Sequence, residues 1–177
     1  DFSDTPITMS RNAAVKWAQQ EVNADILYML DSDMIPDINS SEPDAKPFFD
    51  ESFNFLYGNY DRGPHAICAP YCGPPPSECV YVFFWQTYEP DSPDPVYKLE
   101  MYNREEVVTM TGVHPCAAQP TGLIAFDMRC FDLLEEPYFY YEYEDKAESV
   151  KASTEDVTCT RDLSFHGHLK LGYDVLH

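Results

Sequence analysis

Positive charge is what this sequence has least of: 11 Lys and Arg against 31 Asp and Glu, a formal net charge of −20 over 177 residues. Such a chain has no basic surplus to neutralise a phosphate backbone, which excludes backbone-driven nucleic-acid binding and disfavours anionic membrane surfaces. No apolar run approaches the roughly 20 residues of a transmembrane helix. A basic-then-apolar leader is missing as well, because the chain opens Asp1-Phe2-Ser3-Asp4. Its first residue is not Met, which suits a processed, truncated or partial polypeptide. There is no Gly-rich, Lys-bearing phosphate loop, which lowers any NTPase reading. No internal repeat and no second domain are visible, so residues 1–177 read as a single domain.

Paired C-x-x-C spacing is also absent. Six cysteines (Cys68, Cys72, Cys79, Cys116, Cys130, Cys159) are dispersed through a chain large enough not to need staples. They read as reduced thiols of a cytoplasmic protein. Cys68, Cys72 and Cys79 with His65 are conceivable zinc ligands, but scattered packing cysteines fit the spacing better.

What the chain does have is 44% hydrophobic and 15% aromatic residues, enough for a sizeable folded core. Ser10 reads as an N-cap, with Ala14, Trp17, Ala18 and Val22 at helical spacing behind it. That helix ends near Asn23, and Ile26–Leu30 follows as a strand buried on both faces. Phe48, Phe49, Ser52, Phe53 and Leu56 predict a second helix. Strands are predicted over 65–70, 80–85, 96–101, 123–126 and 172–176, with Asp127 capping a helical stretch and a last helix over 154–168. Helices and strands alternate, which gives an α/β class with a mixed sheet flanked by helices.

The most informative junction is where Ile26–Leu30 runs into Asp31-Ser32-Asp33. Two carboxylates at the carboxyl end of a strand sit where open α/β sheets bind ligands, and hard cations prefer oxygen donors shared with a diphosphate. The same residues are also ordinary for a turn. A second segment, Ser153-Thr154-Glu155-Asp156-Val157, reads either as a capping box with Ser153 as cap or as a general base held at a helix start.

Taken in order, Ser10-Arg11-Asn12, Leu30-Asp31-Ser32-Asp33, Pro120-Thr121-Gly122, Phe139-Tyr140-Tyr141-Glu142, Thr154-Glu155-Asp156 and Arg161-Asp162-Leu163 resemble the GT-A glycosyltransferases. The resemblance is to family-2-like inverting enzymes, and nearer still to glycosyltransferases of phage and environmental genomes. It implies a GT-A, Rossmann-like fold and a nucleotide-sugar donor with an unidentified hydroxyl acceptor. It also implies a Mn²⁺ or Mg²⁺ ion at the DxD motif, held by Asp33 and Asp31, and a virus-encoded protein of host cytoplasm or virion. His177 has the look of a third metal ligand, with an alternative ligand beyond the end of the chain. Asp156 matches the base, with Glu155 beside it as a substitute, and Arg11 matches a residue facing the nucleotide or diphosphate. Thr121 and Gly122 match the loop beneath donor sugar and acceptor. Tyr141 and Glu142 are acceptor-side candidates, since sugar rings stack on aromatic faces, although core packing is the default for Trp85 and the aromatics of 138–143. His166 and His168 read as surface or packing residues. Only about ten residues precede the Ser-Arg-Asn helix, so the resemblance further implies that the first strand–helix–strand unit of such a domain is missing. Two other readings stand beside this one: a degenerate GT-A module with a structural or glycan-binding role in a larger assembly, and a nucleotidyltransferase.

Overall fold

A computed structural model describes residues 6–36, 46–71, 73, 80–88, 91, 96–107, 109–144, 151–166 and 175–176. Helix α1 spans Ile7–Trp17 and continues as a π-helical turn over Ala18–Val22, closed by Asn23 in the left-handed conformation (φ 53°). Its N-cap is Pro6. Ser10 therefore lies inside the helix, where its hydroxyl donates to the Pro6 carbonyl at 3.3 Å. Proline fixes φ near the helix entry and supplies the carbonyl, so the expected Ser10 cap is displaced by one turn.

Strand β1 (Ile26–Leu30) leads to helix α2 (Phe48–Gly58), strand β2 (Ala66–Cys68), and the hairpin of β3 (Phe83–Tyr88) and β4 (Val96–Met101). A short helix α3 (Arg104–Val107) precedes strand β5 (Leu123–Asp127). Asp127 accepts the Arg129 N–H as predicted for a cap, but the helix it starts is a 3-10 turn over Met128–Asp132. Strands β6 (Glu142–Tyr143) and β7 (Lys151–Ser153), helix α4 (Glu155–His166) and strand β8 (Val175–Leu176) complete the described order. The third predicted strand is shifted: pairing covers Phe83–Tyr88, because the backbone of Phe83 bonds Ala118 and its six residues register with β4.

The main sheet has the order β1-β5-β2-β8, with β5 antiparallel to both neighbours and β2 parallel to β8. Side-chain alternation divides its faces. Met29, Ile124, Phe126, Ala66 and Cys68 point into a core closed by Val15 and Ala18 of α1 and Cys159 and Leu163 of α4. Ile67, Leu123 and Ala125 face Phe48 and Leu56 of α2. Layers of helix, sheet and helix result. Each fully buried Phe or Leu here contributes roughly 1.5–3 kcal/mol relative to exposure.

The apolar run of β1 suggested a strand covered on both faces, and that reading is corrected. The strands buried along their whole length are β5 and β2, in the middle of the described sheet, whereas β1 is its edge and Leu30 is half exposed. Cys68, Cys130 and Cys159 pack in the main core, and Cys116 lies in a smaller cluster with Val80 and Val82. Cys72 and Cys79 lie outside the described residues. His65 is buried, its Nδ1 donating to the Gly63 carbonyl at 2.7 Å and its ring edge-on to Phe55. Among the described residues no helix is long and apolar enough to cross a membrane.

Candidate functional site

The Ser-Arg-Asn segment of α1 gathers the site. Arg11 is 7% exposed, and its guanidinium donates to Glu155 Oε1 at 2.5 Å and to both oxygens of Asp31, at 3.1 and 3.4 Å. One cation thus joins the end of β1 to the first turn of α4, across 144 residues of sequence. Its guanidinium also lies 6.0 Å from the centre of the Phe139 ring. Asn12, the next residue, clasps Phe139 through both backbone groups: Nδ2 donates to its carbonyl at 2.8 Å and Oδ1 accepts its N–H at 3.1 Å. Fixed helical spacing lets consecutive residues hold two different elements at once.

Asp31 follows β1, and its own N–H donates to the Gly122 carbonyl at 2.8 Å. That bond extends the β1–β5 ladder by one rung and places the aspartate beside the Thr121-Gly122 loop. Asp33, on the turn after it, is exposed. On the far side Asp156 Oδ1 accepts the Thr154 hydroxyl at 2.5 Å and the Val157 N–H at 2.9 Å. Thr154 precedes the first residue of α4, and its carbonyl accepts the Thr158 N–H at 3.0 Å. Ser153, expected to cap, is held in β7 by its pairing with Glu142.

Between the two acidic segments stands Tyr71. Its phenol accepts the Gly122 N–H and lies within electrostatic reach of both Asp156 and Asp31. Burial first, and then those two carboxylates, push its pKa up to about 12, so it keeps its proton and remains a hydrogen-bond donor at neutral pH. The ring covers Gly122 so closely that a Cβ there would meet the Tyr71 hydroxyl at 2.6 Å. Gly122 thus permits a close approach, as expected, but what approaches it in this structure is Tyr71. Thr121 is fully buried, and its Oγ1 has no hydrogen-bond partner among the described residues.

The remaining site candidates divide in two. Tyr141 hydrogen-bonds Glu155, and burial followed by that carboxylate raises its pKa. Glu142 is engaged elsewhere, in a 2.6 Å ion pair with Arg161, which also bonds Asp162 at 2.8 Å. Trp85 packs the hairpin onto α4, donating to Ser164 Oγ at 2.9 Å. Tyr138 and Phe139 are core residues, whereas Tyr140 donates to Asp162 at 2.6 Å. His177 and His168 lie outside the described residues, as does the side chain of His166.

No protein-family model matches this sequence, and no curated protein matches it. A solved structure does match in shape: the chain is similar to "Crystal Structure of A197 from STIV", with a TM-score of 0.57 over 97% of this chain. Sequence identity is 14%, so the likeness concerns the fold alone. The chain spans 64% of that structure's length.

Metal binding at Asp31 and Asp33 is chemically consistent in donor type and limited in number. Among the described residues no three His, Cys, Asp or Glu side chains lie together as a ready cation site. Mg²⁺-type sites commonly use one or two carboxylates and take their other oxygens from substrate phosphates and water. Two aspartates fit that pattern, and a cation reaching Asp31 meets a carboxylate already paired with Arg11.

The residue that sequence reasoning missed is Tyr71. It adjoins Cys72 and Gly73, outside any periodic segment, and only the fold brings it to Gly122. Tyr81 was missed too, although it falls within the predicted strand over 80–85, because its partner Gly73 lies beside it only in the fold. It meets Tyr71 edge-on at 6.2 Å between ring centroids, and its hydroxyl lies on Gly73 where no Cβ would fit.

Proposed function

We propose that this chain is a metal-dependent inverting glycosyltransferase of the GT-A type, moving a sugar from a nucleotide-sugar donor to a hydroxyl acceptor. One observation carries the reading. Two acidic segments far apart in sequence, Asp31-Ser32-Asp33 and Glu155-Asp156, meet where Arg11 pairs with both Asp31 and Glu155, with Tyr71 within electrostatic reach of Asp31 and Asp156. A strand-end carboxylate pair supplies oxygen ligands, and a carboxylate opposite it supplies a base.

In this reading the acceptor hydroxyl attacks the anomeric carbon on the face opposite the leaving diphosphate. The new C–O bond forms as the bond to the diphosphate breaks, and the departing nucleoside diphosphate takes the electron pair. The hydroxyl proton passes to Asp156, within reach of the attacking oxygen in the adjoining cleft. Inversion follows from the single displacement. When bound by Asp33 with Asp31, Mn²⁺ or Mg²⁺ supplies Lewis-acid stabilisation of the charge on the leaving group. Glu155, which the resemblance offers as an alternative base, is committed to a buried ion pair with Arg11, so Asp156 is the better placed of the two.

The test is incubation with Mn²⁺ and a panel of nucleotide sugars. Release of nucleoside diphosphate supports glycosyl transfer, and release of pyrophosphate instead identifies nucleotidyl transfer. Asp33→Ala and Asp156→Ala each should lower the rate by at least about a hundredfold. A second reading, a catalytically degenerate glycan-binding or structural module, is favoured by the fact that Asp31 already has a counter-ion in Arg11. Such a module binds neither Mn²⁺ nor nucleoside diphosphate.

A further inference from the structure

A cleft of about 630 Å³ opens beside Asp156, between the β3–β4 hairpin and the first turn of α4. Its two walls differ in chemistry. One is aromatic and apolar: Tyr71, Tyr81 and Phe83, continued by two apolar side chains of β4. The other mixes the small apolar Ala152 and Val157 with Ser153, Thr154 and Asp156, which offer hydroxyl and carboxylate oxygens. The aromatic wall is built to hold its shape. Tyr71 lies on Gly122 and Tyr81 on Gly73, each over a glycine with no room for a side chain, and the two rings brace each other edge-on.

A pyranose ring has the same two-sidedness, with a C–H face that stacks on aromatics and hydroxyl edges that donate to oxygen acceptors. Charge narrows the class further. Among the described residues no Lys or Arg lines the cleft, Glu155 and Asp156 do, and the chain carries a net charge of −20. Arg11, the nearby cation, is already engaged by Glu155 and Asp31, so an acceptor bearing phosphate, carboxylate or sulfate meets the Asp156 carboxylate with no lining cation among the described residues to offset it.

We propose that this cleft binds a neutral saccharide, stacked on Tyr81 and Phe83 with one hydroxyl between Tyr71 and Asp156. The saccharide's role as acceptor rests on the transfer reading above; its binding does not. Within that reading, the Tyr71 phenol orients the attacking oxygen while Asp156 receives its proton.

The experiment pairs two measurements on the whole chain. A neutral-glycan array identifies a bound oligosaccharide, whose affinity is then measured by calorimetry for wild type, Tyr81→Phe and Tyr81→Ala. Calorimetry with Mn²⁺ plus UDP or GDP runs in parallel. The expected result is saccharide binding that Tyr81→Phe retains and Tyr81→Ala weakens about tenfold, the scale of one lost aromatic contact. Near-ultraviolet circular dichroism verifies that Tyr81→Ala is folded. Should that variant fail to fold, Phe83→Leu serves as the second truncation of the aromatic wall, with the same expected weakening. Absence of binding to every neutral glycan, or equal affinity in the folded truncation variant, overturns the proposal. Nucleoside diphosphate binding without glycan binding rejects the saccharide and leaves the transfer reading standing. Glycan binding without nucleoside diphosphate binding does the reverse. Selective capture of anionic glycans or of a peptide also overturns it.

Discussion

Arg11 is the residue on which the site's electrostatics turn. A guanidinium buried between Glu155 and Asp31 has its desolvation offset by two carboxylates, and the arrangement is stable only while all three are present. Replacing one member strands a charge. Arg11→Met should cost roughly 3–5 kcal/mol by urea denaturation, because Glu155 is left buried without its cation. Adding Glu155→Met should recover most of that loss, since two apolar side chains of similar volume need no counter-charge. A single variant within about 1 kcal/mol of wild type would show that the triad does not hold the domain together. The Ser-Arg-Asn segment was legible as unusual, but its partners were not. Nothing local in the sequence says that Arg11 reaches a residue 144 positions away, or that Asn12 clasps Phe139. Tyr71 was invisible for a related reason: a tyrosine beside a Cys-Gly-Pro turn has no periodicity that announces a role.

At the scale of elements, hydrophobic spacing read well and the burial of particular strands did not. Ile26–Leu30, the helix through Phe48 and Leu56, and the strand after Gly122 stand where their apolar spacing put them. The apolar run of β1 predicts burial on both faces, yet that burial belongs to β5 and β2, because position within the sheet rather than local sequence decides which strands both helical layers cover. The loop entering β5 has a consequence of its own. Gly122 lies beneath Tyr71, so Gly122→Ala forces the ring to move and should destabilise by about 1–3 kcal/mol, the usual cost of overpacking. In a Tyr71→Ala background the same substitution should cost less than about half as much, because the clash is gone. Equal costs in both backgrounds, measured by thermal unfolding, would place the strain elsewhere.

For the molecule as a whole, acidity sets the constraints. The charge of −20 points away from phosphate-backbone partners as a physical expectation, but it does not say which of 31 carboxylates converge. Titration of the buried groups gives a prediction at this scale. Tyr71 and Tyr140 hold their protons to about 12 in the folded state, chiefly through burial, against 10.0 when unfolded. Their contribution to stability is complete below pH 10 and is lost as pH rises through about 12. His65 acts in the opposite direction. Burial lowers its pKa beneath 6.5, so its contribution is complete above that pH and is lost as the pH falls through the lowered value. Melting temperature should therefore decline at both ends of this range, and Tyr71→Phe should flatten the alkaline limb. An alkaline limb unchanged in that variant would contradict the placement of Tyr71 between Asp31 and Asp156.

The claim on which the rest depends is that the two acidic segments form one transfer site, and nucleoside diphosphate release from a nucleotide sugar with Mn²⁺ tests it most directly. The account predicts turnover by the wild-type chain and its loss in Asp33→Ala and in Asp156→Ala, with both variants still folded by circular dichroism. Undiminished release by either folded variant would contradict it.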